Sequence, residues 1–251
     1  MITASDCLRI YKICPDNNSE KMVAEGFLKV DKKKPSPVTS FDWSPLSLNV
    51  IASASFDTLV TIWDLNQQEL SSQFAGHDRA VNDISFQCND SNVFVTCSSD
   101  GTLRRFDRRA MDHSDQLFKS EAGAPLLRCQ YSHTDQNYIA ILEDESKDVC
   151  ILDTRKTDKP ILLQKHKDVV NSFAWSPSLG TVLLTAAEDG SCYVWDINAK
   201  DQKQGKATMG YECKSPLQAD VKEPACCCDW SGLNKEWCSV VHEKTLEMLH
   251  I

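Results

Sequence analysis

Between His166 and Asp196 the chain alternates short apolar runs with turn residues. The first run follows His166 and ends at Trp175, where Ser176-Pro177 reads as a turn. Val182 to Ala187 is the second run, Asp189-Gly190 a tight turn, and Cys192 to Ile197 the third. Short β-branched or aromatic runs bounded by turn residues predict an antiparallel meander. Weaker copies of the pattern lie on both sides. The aromatic that closes the first run recurs at Trp43, Phe86, Tyr131, Trp175 and Trp230, at intervals of 43, 45, 44 and 55 residues. An aspartate ends the third run at Asp64, Asp107, Asp153 and Asp196, in the same register. Two markers repeating in step predict an all-β repeat architecture.

Polar residues inside the apolar runs need partners, because a buried polar group without one costs free energy. In the stretch from His166 these are His166, Thr185, Asp189 and Trp195, and the run ends in Trp-Asp. The stretch resembles the WD-repeat family, in which four such side chains satisfy one another. That resemblance implies a β-propeller, with the loop carrying His166 and the Asp-Gly turn at one end of each blade. Elsewhere the same places hold Ser53, Asp57 and Trp63, then His77, Thr96 and Asp100 with Phe106 replacing tryptophan. The unit containing LLRCQYS, NYIAIL and DVCILD keeps the strands and has lost the tetrad.

The expected organisation is a single propeller domain over 1–251. Residues 1–30 form a partial blade with strands over Met1–Ala4, Cys7–Ile13 and Met22–Val30, and Tyr11 in the place of Trp195. Lys32 to Pro37 reads as a solvated linker. Blades follow over 38–75, 76–121, 124–164, 166–211 and 224–251. The polar, lysine-rich segment 198–223 reads as a mobile surface loop with one short strand near Ala207–Tyr211.

Composition sharpens this picture. A chain of 251 residues buries a sizeable core as one all-β domain. The net charge of −9 argues against direct nucleic-acid binding, which needs a basic face. No apolar run reaches the roughly 18 residues of a membrane span, and MITASDCLRIYKI lacks the features of a signal peptide. Most of the 12 cysteines fall in apolar strand runs, which reads as reduced core packing in an intracellular protein.

Further stretches carry a more specific likeness: PSPVTSFDW, SFDTLVTIWDL, GHDRAVNDISF, SDGTLRRFDRRAMDHS, DQNYIAI, VCILDTR and LEMLHI. Together they resemble the anthocyanin-regulator or TRANSPARENT TESTA GLABRA type of WD-repeat protein, whose animal members are kinase-binding adaptors. The resemblance implies a seven-bladed, non-enzymatic scaffold in the cytoplasm and nucleus. Its partners would be dual-specificity kinases or MYB and helix-loop-helix regulators. Against that pattern the first blade and the outer closing strand are expected to be missing, which would leave sheet edges unpaired.

The tetrad geometry predicts a partner-binding rim of Phe56, Ser99 and Glu188, joined by Asp78, Arg79, Lys167 and Asp168. Phe56 stands out as a large apolar residue in a turn. An alternative function rests on FDRR and LDTR, which place Arg109 and Arg155 two residues after the repeat aspartates. They resemble the motif by which substrate receptors dock on the adaptor of cullin-RING ubiquitin ligases; the plainer reading is a solvated arginine paired with its aspartate. Arg104, Arg105, Arg108, Arg109 and Lys119 form a local basic stretch, either an anion site or a solvated edge. Cys226, Cys227, Cys228, Cys238 and His242 are zinc-type ligands, but alternation along a strand argues against convergence and for core packing. No phosphate loop, nucleophile elbow or metalloprotease motif is present, so neither catalysis nor a cofactor or metal is expected.

Overall fold

A computed structural model describes residues 2–5, 7–16, 19–28, 36–198, 208–213 and 223–250. Among them every regular element is a β-strand. The strands form six antiparallel sheets, each a meander in chain order.

The first sheet holds β1 (Ile2–Ala4), β2 (Leu8–Asp16) and β3 (Ser19–Leu28). The second holds β4 (Val38–Trp43), β5 (Val50–Ser55), β6 (Leu59–Asp64) and β7 (Glu69–Ala75). The third holds β8 (Val81–Gln87), β9 (Asp90–Ser98), β10 (Thr102–Asp107) and β11 (Ser114–Lys119). The fourth holds β12 (Leu126–Tyr131), β13 (Tyr138–Glu143), β14 (Asp148–Asp153) and β15 (Ile161–Gln164). The fifth holds β16 (Val170–Trp175), β17 (Val182–Ala187), β18 (Cys192–Asp196) and β19 (Thr208–Cys213), and the sixth β20 (Ala225–Trp230), β21 (Trp237–His242) and β22 (Leu246–His250). β19 pairs with β18 and stands where the sequence expects one short strand, near Ala207–Tyr211. Most of the expected linker, residues 32–35, lies outside the described residues.

The middle strands β5, β6, β13, β14, β17 and β18 are buried over nearly their whole length. Both faces of such strands pack against neighbours, which is why they read as continuous apolar runs rather than alternating ones. The outer strands β7 and β11 are mostly exposed and polar.

The chain divides into two compact units, residues 1–129 and 130–251, with the division inside β12. In the first unit, Val60, Ile62, Phe86, Phe94 and Phe106 form a core in which Phe94 stacks on Phe106 at 5.6 Å. In the second, Tyr138, Leu142, Phe173, Trp175, Tyr193 and Trp195 do the same.

The first strand of four sheets carries a register shift at one place: Val38/Ser40, Val81/Asp83, Val170/Ser172 and Ala225/Cys227. A β-bulge there adds one unpaired residue and turns the strand. At the bulges of β4, β8 and β16 the two residues then reach the same neighbouring strand. Thr39 Oγ1 donates to Val81 O at 2.5 Å, and Ser40 Oγ to Asp83 Oδ1 at 2.6 Å. Asn82 Nδ2 donates to Leu126 O at 2.7 Å, while Asp83 Oδ2 accepts Cys129 N at 3.1 Å. In the second unit Asn171 Nδ2 donates to Ala225 O at 3.0 Å. Each of these bonds ties a first strand to the first strand of the next sheet.

Candidate functional site

His166 sits in the connection from β15 to β16, and its imidazole is buried. Nε2 lies 2.7 Å from Thr185 Oγ1, and Nδ1 lies 3.0 Å from Ser191 Oγ. Trp195 Nε1 donates to Thr185 Oγ1 at 2.9 Å. Asp189 accepts the Ser191 hydroxyl, the Ser191 amide at 2.9 Å and the Lys167 amide at 2.8 Å. A neutral imidazole protonated on Nδ1 satisfies the whole chain from indole through hydroxyl, ring and hydroxyl to carboxylate. The direct His166–Asp189 separation is 3.7 Å, so Ser191 carries the link. Burial pulls the imidazole below its ordinary pKa, partly offset by the Asp189 charge. The hydrogen bonds from Ser191 and Lys167 hold the Asp189 carboxyl low against its own burial.

In the first unit His77 Nδ1 meets Asp100 Oδ2 directly at 3.0 Å and Nε2 meets Thr96 Oγ1 at 2.8 Å. Thr102 is the counterpart of Ser191, donating to Asp100 Oδ1 at 2.6 Å. Its hydroxyl and amide, with the charge of His77, hold the Asp100 carboxyl down to about 2 even though burial opposes this. Phe106 at the tryptophan place brings no donor and packs into the core instead. In the second sheet Trp63 Nε1 donates to Ser53 Oγ at 2.8 Å, and Asp57 stands on the β5–β6 turn. Thr102 and Ser191 escaped the sequence reading; their signal is a hydroxyl residue two places after Asp100 and Asp189, where Asp57 is followed by Leu59. The ties through Thr39, Asn82 and Asn171 escaped it too, although Val-Asn recurs at 81–82 and 170–171.

These networks fix where the predicted rim residues lie, unit by unit. In the first unit Gly76 N donates to Thr58 O at 3.0 Å and Asp78 N to Asp100 Oδ2 at 3.2 Å. The β5–β6 turn, the β7–β8 connection and the β9–β10 turn therefore share one end, carrying Phe56, Asp78, Arg79 and Ser99. Phe56 is 66% exposed, so it does not fold back on its own sheet. Arg79 and Asp78 are exposed, and Ser99 is half-buried against Asn82. In the second unit Lys167, Asp168 and Glu188 share one end, joined by the Lys167–Asp189 bond and by Glu188 N donating to Val169 O at 2.8 Å.

The turn bearing Phe56 is strained. Thr58 adopts φ 74°, where Gly101 and Gly190 take φ 77° and 71° in the corresponding turns. A β-branched residue there is an outlier.

Arg109 and Arg155 form the same fork at the opposite ends of β10 and β14. Arg109 Nε and Nη2 grip Asp107 at 2.8 and 2.5 Å, with Asp90 3.2 Å away. Arg155 Nε and Nη2 grip Asp153 at 2.8 and 2.7 Å, and its guanidinium lies 5.8 Å from the centre of the Tyr138 ring. Each fork raises the arginine and lowers its aspartate. Both arginines remain exposed. The basic stretch is not a free cationic patch: Arg105 holds Asp115 at 2.6 Å, Arg104 reaches Asp78 at 3.4 Å, and Arg108 donates to Ser91 O at 3.4 Å. A cleft of about 310 Å³ lined by Val93, Arg105, Phe106, Asp107 and His113 lies beside the Arg109 fork.

The cysteine expectation needs correcting. Alternation predicts Cys226 and Cys228 on one face, but the bulge at Ala225/Cys227 exposes Cys226 and Cys227 together and buries Cys228.

Comparison with known proteins places this geometry. A family model described as the NUP159/214 beta propeller matches residues 61–248, and the WD domain, G-beta repeat matches residues 28–64. The chain belongs to the WD-repeat β-propellers. It is similar to the DDB1- and CUL4-associated factor 7 homolog of Dictyostelium discoideum, 27% identical over 100% of this chain and 74% of the relative. A WD repeat-containing protein of Saccharomyces cerevisiae is 30% identical over 79% of this chain and 45% of the relative. The GATOR2 complex protein WDR24 of Danio rerio is 26% identical over 61% of this chain. The chain thus spans about three quarters of the Dictyostelium relative and less than half of the yeast one. WD-repeat propellers are protein-interaction scaffolds, and their adaptor members are typically non-enzymatic.

Proposed function

We propose that this WD-repeat protein is a non-enzymatic adaptor that engages a peptide of a protein kinase or transcription regulator at the end of the first unit bearing Phe56 and Arg79. The observation that carries this reading is Phe56 itself. A large apolar ring stands 66% exposed on a turn whose Thr58 is held at φ 74°. Strain kept at an exposed turn points to selection for something other than stability, and exposed aromatic and arginine side chains are the usual anchors of interfaces. Phe56→Ala and Arg79→Glu are expected to weaken peptide binding, measured by titration calorimetry, while the melting temperature of the same samples stays nearly unchanged. Full affinity in both variants would move the site off this end.

A second reading is favoured by the matching forks at Arg109 and Arg155 and by the printed name of the Dictyostelium relative. In it the chain is a substrate receptor docking on a cullin-RING ligase adaptor. A planar guanidinium preset by its own aspartate presents its outer edge in a fixed orientation. Arg109→Ala with Arg155→Ala is expected to abolish capture of the purified ligase adaptor; retained capture rejects this reading.

A further inference from the structure

The bulge in β20 has an effect that the bulges in β4, β8 and β16 make legible. In those strands the two bulged residues send both side chains toward the same neighbour: Thr39 with Ser40, Asn82 with Asp83, Asn171 with Ser172. The corresponding pair in β20 is Cys226 and Cys227, and both thiols are free and exposed. Adjacent residues of a regular strand would point to opposite faces; here two neighbouring thiols are both exposed, between buried Ala225 and buried Cys228. Their bonds are weak ones. Cys226 Sγ donates to Pro224 O at 3.8 Å and Cys227 Sγ to Cys228 O at 3.9 Å. The buried Ser172 hydroxyl donates to Cys227 Sγ at 3.8 Å and holds that sulfur from beneath.

We propose that Cys226 and Cys227 form a surface dithiol site that binds one soft, thiophilic metal or metalloid centre through both sulfurs. Thiolate ligands select such centres over hard ions. A divalent d10 ion displaces two protons, one from each thiol, and two metal–sulfur bonds form with no change of oxidation state. An aryl-arsenic(III) oxide forms two As–S bonds and releases one water, the two thiol protons leaving with its oxygen. Cys228 takes no part, because its side chain is turned into the core with Leu184, Val194 and Val240.

The test uses the whole chain, with phenylarsine oxide and cadmium as probes. Wild type is expected to bind one more equivalent of phenylarsine oxide than the Cys226→Ser/Cys227→Ser double variant. That binding should protect two more thiols from a chromogenic disulfide reagent. Each single serine variant should lose about a hundred-fold in cadmium affinity, read from thiolate-to-cadmium absorption, because one-point attachment forfeits the effective concentration of the second sulfur. Circular dichroism melts confirm that the variants fold. Equal arsenical stoichiometry in wild type and double variant overturns the proposal. So does a single variant that binds cadmium as tightly as wild type.

Discussion

At the scale of single residues, the hydroxyls at Thr102 and Ser191 decide how the histidines and aspartates communicate. Asp189 lies 3.7 Å from His166 but accepts three donors from Ser191 and Lys167. Asp189→Asn replaces one acceptor oxygen by a donor facing N–H groups, and is expected to destabilise by about 1–3 kcal/mol. Asp153 pairs instead with the exposed Arg155, so its replacement should cost less. Chemical denaturation of the two variants compares them; equal losses would contradict the network. Thr58 makes the opposite case. A glycine there removes the penalty of a β-branched residue at φ 74°, so Thr58→Gly is expected to stabilise by about 1 kcal/mol. If Thr58 supports the Phe56 turn, the same variant also weakens partner binding.

At the scale of elements, the second, third and fifth sheets solve the same problem with different subsets of groups. Trp195 Nε1 donates to Thr185 Oγ1, which His166 also bonds. Trp63 Nε1 donates to Ser53 Oγ, for which the other bond is a long one to Thr61 O at 3.5 Å. Trp63→Phe should therefore cost about 1 kcal/mol more than Trp195→Phe, since it leaves the buried Ser53 hydroxyl poorly satisfied. A thermal melt of the two variants reads the difference. The strands themselves were legible, because turn residues such as Ser176-Pro177 and Asp189-Gly190 punctuate β-branched runs. The bulges were not. Nothing in Val81-Asn82-Asp83 or Ala225-Cys226-Cys227 distinguishes a bulged from a regular strand until the pairing partner is known, and so the alternation argument misplaced Cys226 and Cys227. The rim residues followed from the tetrad, whereas the Ser191 and Thr102 relays needed atomic distances.

At the scale of the whole molecule, the two units respond to acid through different sets of groups. Burial holds His77 in the first unit, and His133 and His166 in the second, below their ordinary 6.5. The unfolded chain takes up protons at these sites first, so their contribution is complete above pH 6.5 and is lost as pH falls. The first unit also half-buries Asp42 and Asp83 along its bulged strands. Asp42 accepts Phe86 N at 2.7 Å and Trp43 N at 2.8 Å, yet burial raises it to about 6. Burial raises Asp83 as well, against the bond from Ser40 and the charge of Arg128. For these carboxyls the sign reverses: the folded state binds protons more tightly, so stability is gained as pH falls through about 6. In the second unit Asp153 and Asp189 are held low instead, by their hydrogen bonds. Between pH 7 and 5 the histidine loss in residues 1–129 is thus opposed by Asp42 and Asp83. Amide exchange, corrected for intrinsic rates, is expected to lose more protection over 182–196 than over 93–107 at pH 5. Asp42→Asn should shrink that difference, because asparagine keeps an acceptor for Phe86 N while removing the proton uptake. A larger loss over 93–107 would mean that the carboxyls of the first unit are already solvated and contribute nothing to its acid resistance.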